Sequence, residues 1–329
     1  MLAAQFALAV GALVTSPLSK PASIAATAEA AVAAAFTPAM AAALAECNPS
    51  MPAHLRSQQV VAVMDNVLGA DVCERLRREA EALRTEGYLE DCESSGNVRA
   101  IQCEQGDDEM RAVAEGLVSL PLATARAVAQ RINDAVELTS SASGTPLIVA
   151  SGAHTNKLAV VENDGSGYLK HVDNVFGTGG DDVRKATAIY YLNPGWDAEH
   201  AGFLRAYDAS LVLVSPEDGK PMRTDGDGSD VARIAPRGDR LVVFWSDALV
   251  HDVEPSCITC DADHRWALTT WLIAADPEAD PSLSQGLDQE TWKRHFDDAP
   301  AEESAASRLA KSALETGLAG LYGLLRRGS

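Results

Sequence analysis

Basic residues are scarce in this chain. Its 27 Lys and Arg stand against 47 Asp and Glu, a formal charge of −20 and a pI near 4.7. That balance excludes sequence-independent nucleic-acid binding, because a phosphate backbone needs clustered cations. Cysteine is also sparse. Six in 329 residues do not make the dense pattern of a small secreted disulfide scaffold, so the thiols read as reduced and the expected compartment is the cytoplasm. Long apolar runs are missing as well: residues 2–14 (LAAQFALAVGALV) are too short to span a bilayer, and no transmembrane segment is expected. The same stretch lacks the basic flank of a secretory signal, and residues 1–45 lack the arginines of a transit peptide. A targeting segment and an Ala-rich extension both stay open for it. Nothing in the sequence fixes an oligomeric state.

What is present suits a globular enzyme. A hydrophobic share of 47% with 22% charged residues allows one sizeable catalytic domain with extensions. The chain divides into an Ala-rich extension (1–55), a helical support region (56–150), a β-rich core (151–277) and a C-terminal helical extension (278–329). In the second region, an apolar run at 58–69 leads into DVCERLRREAEALRTEG, where Val72, Leu76, Ala80 and Leu83 recur at helical spacing. Residues 107–136 read as helix too. From 157 the period changes to short β-branched and aromatic runs: KLAVVEN, GYLKHVDN, ATAIYYLN, GFLRAYD, SLVLV, DVARIAP, DRLVVFW, HDVEP and RWALTTWLI. Helices are absent between them, which excludes a parallel α/β sheet. The expectation is an α+β fold, a double-stranded β-helix (jelly roll) with supporting helices.

Three features carry no chemistry in this reading. The 215–230 stretch resembles a calcium loop, but Asp230 and Pro236 stand where the Gly and the bidentate Glu should be, so it reads as a solvated insertion. Cys257-x-x-Cys260 has no second pair to complete four zinc ligands. Leu314, Leu318, Leu321 and Leu325 form an apolar stripe on a terminal helix, ending in Arg326 and Arg327.

In GYLKHVDN, His171 and Asp173 stand two apart on a strand and so share a face. HDVEP offers His251 as a third ligand. Two imidazoles and one carboxylate leave the opposite side of an octahedral iron(II) free for a bidentate co-substrate and O2. Arg265 opens the strand RWALTTWLI, where its guanidinium suits the distal end of a dicarboxylate. An H-x-D pair alone is weak, and a surface ion pair is the bland reading of the arginine.

The four segments GSGYLKHVDN, AIYYLNPGWDAEHAGFLRAY, DRLVVFWSDALVHDVEP and RWALTTWLI, in this order, resemble the prolyl 4-hydroxylase group of 2-oxoglutarate/iron(II)-dependent oxygenases, and within it the hypoxia-inducible-factor-type prolyl hydroxylases. The resemblance covers roughly 157–275. It implies His171, Asp173 and His251 as iron ligands and as the catalytic centre. It also implies Arg265 and Tyr191 on the 5-carboxylate of 2-oxoglutarate, and Leu204, Thr269 and Trp271 lining the pocket, although Tyr191, Leu204 and Trp271 are also ordinary core residues. Two departures stand out. Val161 replaces a pocket tyrosine, and SCITCDADH lengthens the connection before Arg265, where a one-residue register shift would turn that side chain away.

The resemblance further implies hydroxylation of a prolyl residue in a protein or peptide substrate, with Fe(II), 2-oxoglutarate and O2 consumed to succinate and CO2, and L-ascorbate as reductant. An oxygenase of the same architecture acting on another residue or a small molecule is the first alternative. A silent peptide-binding module is the second.

Overall fold

The computed structural model describes residues 24–50, 57–92, 98–103, 107–139, 148–175, 177, 182–214, 220–224, 231–275 and 286–296. Its strands are β1 (Gln59–Met64), β2 (Glu90–Asp91), β3 (Val98–Ile101), β4 (Val149–Val161), β5 (Tyr168–His171), β6 (Arg184–Tyr191), β7 (Leu204–Tyr207), β8 (Ala209–Val214), β9 (Pro221–Thr224), β10 (Val231–Ile234), β11 (Arg240–Trp245), β12 (His251–Val253) and β13 (Arg265–Ala274). Its helices are α1 (Ile24–Ala35), α2 (Pro38–Glu46), α3 (Ala70–Thr85), α4 (Asp108–Val113), α5 (Glu115–Thr139) and α6 (Gln289–Phe296). The mixture of sheets and helices is the expected α+β class.

Two sheets form. The larger runs β2-β3-β4-β13-β6-β11-β1-β8-β9 and the smaller β10-β7-β12-β5. Side chains alternate across the central strands of the larger sheet as the pleat requires. Val60, Ala62, Tyr190, Val243, Trp245 and Trp266 enter one core, with Phe36, Met40 and Leu44 from the N-terminal helices and Leu117 and Val128 from α5. Their neighbours Val61, Val63, Ile189, Tyr191, Val242 and Phe244 enter a second core, shared with Leu204, Ala206, Ile234 and Val253 of the smaller sheet. The central strands are therefore buried on both faces, one toward helices and one toward the second sheet.

The nine runs singled out from 157 onward each carry a strand. The lead differs from its expected helical character: β1 lies inside the larger sheet, antiparallel to β11 and parallel to β8. Its run QVVAVM is buried almost throughout. A continuous apolar stretch has no alternation to separate strand from buried helix, so periodicity alone misplaces it. The short β3 also joins this sheet, against β4.

Part of the supposed 215–230 insertion is the edge strand β9, paired with β8; its remaining residues, apart from Lys220, lie outside those described. The Leu314–Leu325 stripe and residues 1–23 also lie outside them. The described part of the Ala-rich segment is two helices whose apolar residues enter the core, and Trp245 Nε1 donates to the Leu44 carbonyl at 2.8 Å. Among the described residues no single helix is long and apolar enough to cross a membrane.

Candidate metal centre and co-substrate pocket

His171 ends β5 and His251 begins β12, and the antiparallel register sets the two directly opposite each other. Their ring centroids lie 4.3 Å apart. Asp173, two residues beyond His171, turns its Oδ1 to within 3.6 Å of His171 Nε2 and 4.0 Å of His251 Nε2. The three donor atoms lie within 4.8 Å of one another, and this is the one group of three or more His, Cys, Asp or Glu ligands so gathered among the described residues. Exposed Cys257 and Cys260 are free and outside it.

The neighbours orient these groups. His171 Nδ1 donates to the Leu169 carbonyl at 2.7 Å, and His251 Nδ1 to the Leu249 carbonyl at 3.1 Å. A carbonyl only accepts, so the proton sits on Nδ1 and each Nε2 lone pair faces the site. Phe244 closes one side of His251, centroid to centroid 4.9 Å. Burial first, and then the adjoining His171, push the His251 imidazole down to about 4, so it is neutral at pH 7. Burial works to raise the Asp173 carboxyl, but His171, His251 and Arg184 outweigh it and hold it below the ordinary carboxylate range. An ionised carboxylate and neutral imidazoles are the forms that bind a metal.

Asp173 Oδ2 accepts a hydrogen bond from Thr187 Oγ1 at 2.6 Å, and Thr187 is bonded in turn to Ser246 Oγ at 2.7 Å. Arg184 donates to the Asp173 carbonyl while its guanidinium is held by Asp182. Thr187→Val keeps the volume and removes this support. Divalent-metal affinity should fall by about 10–100-fold, read by anaerobic titration with unfolding curves unchanged.

β5 approaches β12 closely enough to exclude a side chain at Gly167: a Cβ there would overlap the Val253 carbonyl oxygen and come within 2.9 Å of the Glu254 one. Gly167→Ala should destabilise the protein by about 1–3 kcal/mol, measured by denaturant unfolding, and lower metal affinity by separating the two histidine strands.

The residues expected to hold the co-substrate stand on the inner face of the larger sheet. Arg265 is the first residue of β13 and is buried, with its guanidinium carbon 5.2 Å from the Tyr191 ring centroid. Its Nε donates to the Gly202 carbonyl at 2.8 Å, which leaves the Nη pair for a ligand. Leu204 packs in the same cluster as Tyr191. Thr269 lies opposite Ile189, and Trp271 opposite Thr187. The lengthened connection does not displace the arginine. It forms a separate loop with a 3₁₀ turn at Asp261–Asp263, and Arg77 of α3 ties it down through the carbonyls of His264, Asp261 and Ala262. Val161 stands directly across from Arg265.

The donor set suits a dicarboxylate. Tyr191 Oη and Ser256 Oγ are buried hydroxyls without a hydrogen-bond partner among the described residues, an expensive state unless a ligand completes it. Gly202 has φ +69°, and a Cβ on it would fall 2.7 Å from Ser256 Oγ and 3.0 Å from Arg265 Cδ, so glycine keeps the arginine end of the pocket open.

Sequence reasoning missed Thr187, Ser256 and Lys157. The last was within reach. Period-2 alternation from Val161, already placed at the pocket, leads through Ala159 to Lys157 on the same face. Thr187 was within reach by the same alternation, from Tyr191 through Ile189 on β6; Ser256 carries no local signal, since only the packing of its loop against Gly202 brings it to the site.

Residues 156–273 match the model of the 2OG-Fe(II) oxygenase superfamily. The chain is 29% identical over 252 residues to Egl nine homolog 1 of Mus musculus, covering 74% of this chain and 52% of that protein. It is 40% identical over 125 residues to prolyl hydroxylase EGLN3 of the same organism, covering 37% of this chain and 41% of that protein. The chain thus spans about half or less of the length of these curated relatives. A solved prolyl 4-hydroxylase from Phytophthora capsici shares the fold, with a TM-score of 0.53 and 19% identity over 91% of this chain and 86% of that one.

Proposed function

We propose that this chain, whose residues 156–273 match the model of the 2OG-Fe(II) oxygenase superfamily, is a 2-oxoglutarate- and O2-dependent dioxygenase that hydroxylates prolyl residues in a protein substrate, on a double-stranded β-helix formed by its two sheets. The observation that carries the reading is the gathering of His171, Asp173 and His251 within 4.8 Å, on a chain that also buries Arg265 against Tyr191. The prolyl specificity rests on the similarity to the EGLN proteins.

His171 Nε2, His251 Nε2 and one Asp173 oxygen would hold iron(II) on one face and leave the other face open. Arg265 would take the far carboxylate of 2-oxoglutarate as a fork, with Tyr191 Oη donating to the same group. Trp271 and Thr269 would line the space between anchor and metal. When bound, iron with 2-oxoglutarate supplies the oxidation: O2 is split between the substrate C–H, which becomes C–OH, and 2-oxoglutarate, which leaves as succinate and CO2. The protein's own part is to orient the co-substrate, exclude water between the sheets and present the substrate carbon. L-Ascorbate would keep the iron reduced.

The test is to supply the iron(II)-loaded protein with 2-oxoglutarate, O2, ascorbate and a set of proline-containing peptides. Peptide-stimulated succinate release with one oxygen gained on proline is expected. A metal-loaded protein that makes no hydroxyproline from any of them would sink the prolyl assignment.

A further inference from the structure

Lys157 is a cation that the proposed chemistry leaves unused. It lies on β4 opposite Thr269 of β13, which lies opposite Ile189 of β6. Cross-strand partners share a sheet face, so Lys157 stands on the inner face. The adjoining row carries Trp271 and Thr187, and Thr187 holds Asp173. Lys157 Nζ is 5.2 Å from the Tyr168 ring centroid and 6.0 Å from that of Trp271. Tyr168 begins the strand that ends in His171. The ammonium is therefore held between two rings, one on the strand that ends in His171 and one in the row that carries Thr187.

Its partners are aromatic alone. Among the described residues the Lys157 side chain has no ion pair and no hydrogen bond, in a chain with 47 acidic residues against 27 basic ones. Arg184, whose guanidinium carbon is 5.2 Å from the Trp271 centroid, is by contrast held by Asp182. Ring faces position an ammonium but leave its three N–H donors unfilled. A half-buried cation so arranged beside a reacting centre is built for an anion, and Arg265 already serves the co-substrate at the other end.

We propose that Lys157 selects substrates carrying a carboxylate next to the carbon that is hydroxylated, an inference that rests on the prolyl-hydroxylase reading. Two sources supply that chemistry: an Asp or Glu side chain beside the target proline, or the terminal carboxylate of a proline at a chain end. The acidic surface would repel such substrates in general, so a local cation is what admits them, and its reach of about 10 Å at ordinary salt confines the selection to the residues nearest the metal.

The experiment uses the full chain with manganese(II) in place of iron and 2-oxoglutarate present. Fluorescence anisotropy compares proline peptides that differ only by Glu against Gln beside the proline, and peptides ending in proline as free acid against amide. One acidic member should bind about tenfold more tightly than its neutral twin, the size of one charge-assisted hydrogen bond, and the pair that discriminates names the source. Lys157→Gln should erase the difference, Lys157→Arg should keep it, and Lys157→Glu should turn it toward peptides bearing Lys. Equal binding of acid and neutral twins by the unaltered protein overturns the proposal. So does a loss of 2-oxoglutarate affinity in Lys157→Gln with the peptide preference intact, which would assign the cation to the co-substrate. Turnover with iron separates the two readings. Hydroxylation of acidic and neutral peptides alike, with equal binding, removes the role of Lys157 alone; carboxylate preference without hydroxyproline removes prolyl hydroxylation alone; and no binding of any peptide removes both.

Discussion

Replacing Asp173 with alanine should lower iron(II) affinity by at least about 100-fold and abolish turnover. Losing a group that merely orients a ligand costs 10–100-fold, and Asp173 is itself the anionic donor of the set. Its oxygen lies within 4.0 Å of both imidazoles, so the remaining pair would be two rings with no negative charge to offset the ion. The fold should survive. The carboxylate accepts from Thr187, whose hydroxyl keeps Ser246 as a partner, and the flanking Val172 and Val175 stay packed on Phe296 of α6. Anaerobic titration with iron(II) or manganese(II), alongside circular dichroism, checks this. Unchanged metal affinity would overturn the site.

Arg265→Ala should raise the 2-oxoglutarate requirement strongly while sparing the metal. A buried charge pair truncated at one partner costs about 2–5 kcal/mol, or roughly 30-fold to several thousand-fold in the apparent KM of the co-substrate. Arg265→Lys should recover only part, because an ammonium cannot fork across a carboxylate while also satisfying the Gly202 carbonyl that Arg265 Nε now serves. Tyr191→Phe removes one neutral donor and should cost about tenfold or less. Initial rates against 2-oxoglutarate concentration, with metal affinity measured separately, distinguish these outcomes. A variant losing metal and co-substrate together would mean that Arg265 supports the fold rather than the ligand.

The parts of this molecule most legible in its sequence are those written in local periods. The β-rich half announced itself because its strands are short, β-branched and separated by turn residues. His171 and Asp173 were legible as a pair from their spacing, but not as one strand face: β5 ends at His171, and Asp173 reaches the same site from the turn beyond it. β1 was not legible, since QVVAVM is apolar on both faces and tells nothing of its period. The lengthened loop before Arg265 left two outcomes open in sequence. The structure holds the inward one, because Arg77, far upstream, grips the loop's carbonyls.

By itself, then, the sequence determined the residue types able to bind a metal and a dicarboxylate, their order along the chain and the strands that carry them. Only the tertiary structure decided that His251 lies opposite His171, that Thr187 and Arg184 brace Asp173, and that Lys157 stands between two rings with no acidic partner among the described residues. Each of these depends on which strands pair and in what register. That is settled by burying two faces of one sheet at once, a condition on the whole chain that no local spacing records.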